Sequence, residues 1–285
     1  MLHLLAALPV LACAAFMVPA ADEPKPLTVP ARSRAEVQVP VAVVDPATGT
    51  TKIVSEPQTV VKTTNVMVTP AKTAVVVCDM WDDHWCKSAA ARCAELAKRT
   101  EPVLKACRER GMTIIHCPSD TMAFYKDSPA RKRAQAAKKV PPPKAKELPN
   151  PPLPVDDTDG GCDDEKPAKS FKAWTRQHAA ITIDEKRDYI TDSGAEVYNV
   201  MTEKGIDTLL VLGVHTNMCV LNRTFAIKQM VKWDVRTFLV RDLTDAMYNP
   251  KMKPFVTHDK GTQLIIEFIE KNWCPTIESK SLLGK

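Results

Sequence analysis

This 285-residue sequence predicts an α/β fold: a three-layer, doubly wound parallel sheet with helices on both faces and a β-rich extension at the amino end. Three observations lead there. Residues 73–78, 112–117 and 209–214 are almost continuously apolar, as strands buried on both faces of a parallel sheet are. Segments with helical spacing alternate with these runs, the pattern of βαβ units joined by right-handed crossovers. Residues 22–70 obey a different rule: they are rich in Val, Thr and Pro and alternate with the period of a strand.

Each element has its own signal. In the extension, 21–70, the alternating runs 35–39 and 59–63 flank the turn sequence Asp45-Pro46-Ala47-Thr48-Gly49, which predicts a β-hairpin. The main domain spans 71–275. After its first strand, Leu96, Val103 and Cys107 keep helical spacing over 88–110, and Gly111 supplies the stop. The strand 112–117 follows. Residues 126–169 are basic and proline-laden, with Pro141-Pro142-Pro143 as one example, and form a surface excursion suited to a lid. Ser193 and Glu196 stand at capping-box spacing before a helix that Gly205 ends. Beyond the strand at 209–214 come a helical stretch to Met230, a strand over 235–240, a loop at 241–245 and a helix over 261–272. Residues 276–285 read as a tail.

Composition narrows the functional classes. With 45% hydrophobic and 26% charged residues, the chain is an ordinary globular protein. The net charge of +5 gathers at Arg131-Lys132-Arg133 and Lys138-Lys139 rather than on a patterned face, so no nucleic-acid partner is expected. Residues 1–20 are an apolar, alanine-rich leader and read as a signal peptide, which places the protein outside the cytoplasm, periplasmic or extracellular. Val10-Leu11-Ala12-Cys13 also loosely fits a lipoprotein processing site, with Cys13 as a lipid anchor. No other run has the length of a membrane span. Of the 9 cysteines, Cys78, Cys107 and Cys117 sit on apolar strand or helix positions as buried thiols, while Cys86, Cys93, Cys162 and Cys274 are the candidates for disulfides. Spacing leaves their pairing open.

The chemistry concentrates where apolar strands end. Residues 209–214 run into His215-Thr216-Asn217-Met218-Cys219, which puts a thiol at the start of a helix, where the helix dipole lowers its pKa. Cys219 therefore reads as a nucleophile, against the ordinary alternative of an inert buried thiol. The first strand likewise ends in Asp79, followed by Met80-Trp81-Asp82-Asp83-His84-Trp85. In open parallel sheets the carboxyl ends of strands surround the ligand crevice, so Asp79 and Cys219 are expected to meet there.

These motifs resemble the isochorismatase-like cysteine hydrolases, a family that includes nicotinamidases and related amidohydrolases. The resemblance covers 72–275 and rests on Asp79 and on Gly213-Val214-His215-Thr216-Asn217-Met218-Cys219-Val220. It implies a triad of Asp, Lys and Cys, assigned here to Asp79, Lys186 and Cys219. Lys186 is chosen because it follows the apolar run 179–183 and stands in a Lys-x-x-Tyr pattern. It also implies an oxyanion site made by the backbone amides of His215 and Cys219, with a cis peptide between Val214 and His215, and a homo-oligomer. Trp81, His84 and His215 are the candidate pocket residues. The expected reaction is cleavage of a small amide or related C–N bond through a thioester on Cys219, with no cofactor and no metal. Asp120 has no following His, which departs from the nicotinamidase metal site. Two alternatives stand beside this reading: a non-catalytic binding or surface protein on the same fold, and a metal-dependent hydrolase using Asp79, Asp82, Asp83, His84 and His116.

Overall fold

The computed structural model describes residues 25–283. The expected leader and Cys13 lie outside the described residues. Eight strands form one sheet: β1 (Leu27–Val44), β2 (Thr51–Val68), β3 (Thr73–Cys78), β4 (Thr113–Cys117), β5 (Tyr189–Ile190), β6 (Thr208–Val214), β7 (Arg236–Asp245) and β8 (Thr276–Ile277). The helices are α1 (Lys87–Glu109), α2 (Pro129–Ala136), α3 (Gly194–Lys204), α4 (Cys219–Asn222), α5 (Ile227–Lys232), α6 (His258–Asn272) and α7 (Lys280–Leu283).

The strand order is β2-β1-β8-β7-β6-β3-β4-β5. From β3 to β8 every pair is parallel, and β1 and β2 add an antiparallel edge. The chain leaves β3 for β4 and β5 on one side and returns to β6, β7 and β8 on the other. Strand order thus reverses between β3 and β6, where Cys78 stands opposite Gly213. Asp79 and His215 are the next residues of those two strands, so the predicted crevice opens between them. Gly213 is required there: its φ is 114°, and a Cβ would lie 2.0 Å from the Cys78 carbonyl oxygen.

Both faces of the sheet are covered. Val75 and Val77 of β3 face α1, whose Cys93, Leu96, Ala97, Leu104 and Cys107 recur at helical spacing. Ala74 and Val76 face the opposite layer, built from α3, α5 and α6. The capping box at Ser193 forms in half: its hydroxyl accepts the Glu196 N–H at 3.4 Å, but the Ser193 N–H bonds to Thr191 and the Glu196 carboxylate to Arg131, while Gly205 closes α3 with φ 64°.

Four local readings change. The run 179–183 is a turn, and the strand on that side is β5, six residues further on. Its apolar residues pack on the core from outside the sheet, Ala180 and Ile181 with the α1 layer and Ile183 against Tyr125 and Ile190. β7 continues to Asp245 through the stretch read as a loop, with a register shift between Val211 and Gly213 that carries it to the site. The segment read as a tail supplies β8 and α7, because Ile277 and Leu282 complete the apolar layer over α1. The hairpin is not a separate body: its base enters the same sheet.

The excursion 126–169 begins with α2 and then lies against the domain without regular structure. Lys146 N–H bonds to Lys232 O at 2.9 Å, Asp156 N–H to Lys253 O at 2.9 Å, and Leu148 and Leu153 pack on the core. A disulfide between Cys86 and Cys162 fastens its far end to the start of α1. Cys93 and Cys274, the other two candidates, are buried free thiols. Among the described residues, no helix is long and apolar enough to cross a membrane.

Candidate active site

Asp79 follows β3 with φ 48°, a left-handed conformation that aspartate tolerates better than most residues. Its N–H bonds to Cys117 O at 3.0 Å and its carbonyl accepts the Trp81 N–H at 2.8 Å. The carboxylate is fully buried. It accepts the Ser119 N–H at 2.7 Å and Arg223 Nε at 3.0 Å. Burial raises the Asp79 pKa. The Arg223 charge, the Cys219 thiol and the Ser119 N–H oppose that rise without cancelling it.

Cys219 is the first residue of α4 and lies beside Asp79. Its pKa is raised, first by burial and then by the Asp79 charge, with Arg223 and the His215 backbone N–H pulling the other way. This corrects the expectation of a lowered thiol pKa. A helix of four residues carries little dipole, and the neighbouring carboxylate outweighs it. Burial and the Asp79 charge thus both favour the thiol over the thiolate. The expected cis peptide joins Val214 to His215. Among the described residues, neither the His215 N–H nor the Cys219 N–H donates to an oxygen; the His215 N–H is directed at the Cys219 sulfur.

Lys186 is not in this cluster. It is exposed, its N–H bonds to Asp184, and it borders a cavity with Gly111, Met112 and Thr113 at the amino end of β4. The reason is the position of β5. Lys186 precedes that strand, so it lies at the end of the sheet opposite the crevice, and the residue that follows the strand is Thr191. The cation at Asp79 is Arg223, which caps α4 one helical turn after Cys219 and also approaches Asp120 at 3.4 Å. An i, i+4 spacing from a candidate nucleophile was the available signal for it.

The metal alternative is not assembled. Asp82 accepts the Thr175 N–H at 2.8 Å and the Thr175 hydroxyl at 2.6 Å, and Asp83 pairs with Lys87 at 3.0 Å. His116 bonds to Asp188 at 3.0 Å and Gln177 at 2.9 Å. The one group of potential ligands that converges among the described residues is Cys86, Cys162 and Asp164, and its two sulfurs are already joined to each other.

Trp81 and His84 belong to a ring stack that includes a residue missed in the sequence, Trp174, and neither borders the cavity that reaches Cys219. Trp81 and Trp174 stack at 4.1 Å between centroids, His84 lies 5.7 Å from Trp174, and the His215 ring meets His84 edge-on at 5.0 Å. Trp174 arrives because the segment around Gln177 pairs antiparallel with Trp81 and is held by Asp82. No local signal in the sequence reveals that pairing. Burial pushes His84 down to about 4 and His215 down to about 3, so both rings are neutral at pH 7. Ser119 Oγ, Trp174 Nε1 and His215 Nε2 are buried without partners among the described residues, and such orphaned polar atoms are rare in folded proteins. A cavity of about 490 Å3 reaches Cys219 and Arg223 past Leu153, Asp157 and Met218. The excursion thus forms part of its wall.

Comparison with known proteins gives the family. A family model for the isochorismatase domain matches residues 73–252, more than half of the chain. Among solved structures, the chain is similar to a cysteine hydrolase from Pseudomonas syringae pv. phaseolicola 1448A, with 16% identity over 76% of this chain and 92% of that one and a TM-score of 0.46. It is also similar to an isochorismatase family protein from Burkholderia thailandensis, with 13% identity over 75% of this chain and 97% of that one and a TM-score of 0.43. No curated protein matches the chain. With the domain matched from β3 to beyond β7 and the strand ends occupied as described, this chain belongs to the isochorismatase-like hydrolase family.

Proposed function

We propose that the protein hydrolyses a small amide or related C–N bond through a thioester on Cys219, with Asp79 as proton carrier and Arg223 as the cation of the triad. The observation that supports this most is the buried Asp79 carboxylate, held at 3.0 Å by Arg223 and set beside the Cys219 thiol. In the first half-reaction, Asp79 takes the thiol proton as sulfur attacks the carbonyl carbon, and the carbonyl oxygen becomes an oxyanion facing the His215 and Cys219 amides. Collapse breaks the C–N bond, and Asp79 returns the proton to the leaving amine. In the second, Asp79 takes a proton from water, hydroxide attacks the thioester, and the acid leaves as the proton returns to sulfur. Arg223 offsets the negative charge of the Asp79 carboxylate before each proton transfer.

The raised thiol pKa fits this sequence, because transfer to Asp79 is coupled to attack rather than completed beforehand. The cavity beside Cys219, about 490 Å3, suits a small molecule. Export belongs to the same proposal, supported by the apolar leader and by the Cys86–Cys162 disulfide, which an oxidising compartment permits. Self-association, implied by the family resemblance, belongs to it as well.

The test is a screen of small primary amides, with intact-mass detection of quenched turnover mixtures. An acyl adduct on the Cys219 peptide, absent in Cys219→Ala together with all turnover, is the expected result. Amide hydrolysis that survives Cys219→Ala overturns the proposal.

A further inference from the structure

β1 and β2 pair over their full length, from Leu27 with Val68 to Val44 with Thr51, yet only the base of this ribbon touches its own domain. Val29, Ala31 and Val68 enter the core, and Arg32 and Arg34 bind Glu270 of α6 at 2.6 and 3.0 Å. Beyond Glu36, which pairs with Lys271, the ribbon projects from the body. Its two faces differ. Val37, Val39, Val41 and Val43 share one face with Val54 and Val60 across the ladder, interspersed with Lys52, Glu56 and Gln58, and four of these six valines are exposed, at 37–42%. That face continues the one buried at the base with Val29, Ala31 and Val68, whereas Val44, Ile53 and Val61 stand exposed on the other.

Such a ribbon is a marginal structure alone. Isolated two-stranded hairpins are barely stable in water, and a charge-poor, valine-rich ribbon is a liability unless something covers it. Edge pairing is a poor cover. Pro30, Pro40 and Pro57 all fall in pairs of the same parity, the parity of Arg32, whose free side meets β8. The missing N–H groups therefore point away from the β1–β2 ladder, and Pro57 interrupts the open edge of β2. The faces are what remain to be covered, and the one bearing Val37, Val54 and Val60 is continuous with the buried face of the base.

We propose that this face docks on a second copy of the chain, in a reciprocal exchange that lays each arm on the body of the other. Area selects the exchange. A ten-residue ribbon about 33 Å long and about 10 Å wide presents roughly 330 Å2 per face. One arm on one body buries roughly 650 Å2 in total, the range of incidental contacts, whereas two arms bury roughly 1,300 Å2, within the range of stable interfaces. A two-fold arrangement supplies both at once. Charge argues against an anionic lipid or nucleic acid here, because the projecting part, 35–61, sets the single cation Lys52 against three acids, Glu36, Asp45 and Glu56. This deepens the self-association proposed above and does not depend on the chemistry at Cys219.

The experiment is light-scattering mass in solution on the wild-type chain and on the double variant Val37→Glu, Val60→Glu, with circular dichroism to establish that both are folded. A mixture of 14N- and 15N-labelled wild-type copies is cross-linked through lysine in parallel. The expected result is an oligomeric wild type, a monomeric folded variant, and cross-links from Lys52 or Lys62 of one isotope to body lysines of the other. A monomeric wild type overturns both the arm and self-association. A variant that keeps the wild-type mass, or arm cross-links confined to one isotope, overturns the arm and leaves self-association standing. A variant that unfolds moves the decision to the cross-links alone.

Discussion

Asp79 sits between two influences that set its chemistry: burial favours its protonated form, and the Arg223 guanidinium favours its charged form. The sign of the pH dependence follows. Asp79 must be ionised to accept the thiol proton, so activity falls as pH drops through a value above the ordinary carboxylate range. Arg223→Ala removes the opposing charge and raises the Asp79 pKa further. The acid limb of the kcat/KM profile then moves to higher pH, and the maximum falls by roughly 10- to 100-fold, the loss of about 1.4 to 2.7 kcal/mol of transition-state stabilisation. Lys186→Ala leaves the profile unchanged. Asp79→Asn separates two properties: it removes a charge that raises the thiol pKa, so Cys219 alkylates faster at a given pH, while turnover falls by about 10^2- to 10^4-fold for want of a proton carrier. Parallel loss of both would contradict this assignment. At this scale Asp79 and Cys219 were legible because strand ends in a parallel sheet carry sites. Lys186 was misplaced because a two-residue strand, Tyr189–Ile190, carries little apolar signal, and the stronger run at 179–183 stood in for it.

The element that joins the site to its surroundings is the excursion. Gly161, with φ 71°, lets it press against Met247, where a Cβ would lie 2.3 Å from the carbonyl oxygen, and Cys162 next to it is bonded to Cys86. The disulfide closes a loop of 76 residues. Cys162→Ser should cost roughly 2 to 4 kcal/mol in urea unfolding, and the 153–157 wall of the cavity should become the first segment to exchange amide hydrogens. Unaltered exchange there would show that the wall is held by its other contacts. The sequence marked this stretch as an extended surface excursion from its prolines, but not where it lies. Its anchors are backbone bonds to Lys232 and Lys253 and the side chain of Asn199, which are tertiary and leave no local pattern. Helix ends were easier to read because capping chemistry is local, as Ser193 and Gly205 illustrate.

In the whole molecule, a buried ionic network ties α1 to β4 and to the segment before β5. Arg108 of α1 bonds to Asp188 at 2.8 Å and to the Thr182 carbonyl at 2.6 Å, while His116 of β4 meets the same carboxylate. Burial favours the neutral acid at Asp188, but bonds from His116 and Arg108 prevail and hold its pKa below the ordinary value. A carboxylate lowered in the folded state contributes stability that is present above its unfolded pKa of about 3.9 and lost as pH falls through the lower folded value. Asp188→Asn should remove that part of the acid unfolding profile and cost about 3 to 5 kcal/mol at pH 7, because Arg108 is left buried without its partner. The same long-range assembly explains what the sequence could not give: parallel strand order, and with it the meeting of β3 and β6, followed from a repeating local pattern, whereas Arg223 and Trp174 reach the site only through packing. The claim that ties the molecule together is that Asp79, Arg223 and Cys219 form one electrostatic unit. Its most direct test is the alkylation rate of Cys219 against pH, read by peptide mass spectrometry in the wild type, Arg223→Ala and Lys186→Ala. The account predicts that Arg223→Ala shifts the rate profile to higher pH while Lys186→Ala overlays the wild type; a shift in Lys186→Ala with none in Arg223→Ala would contradict it.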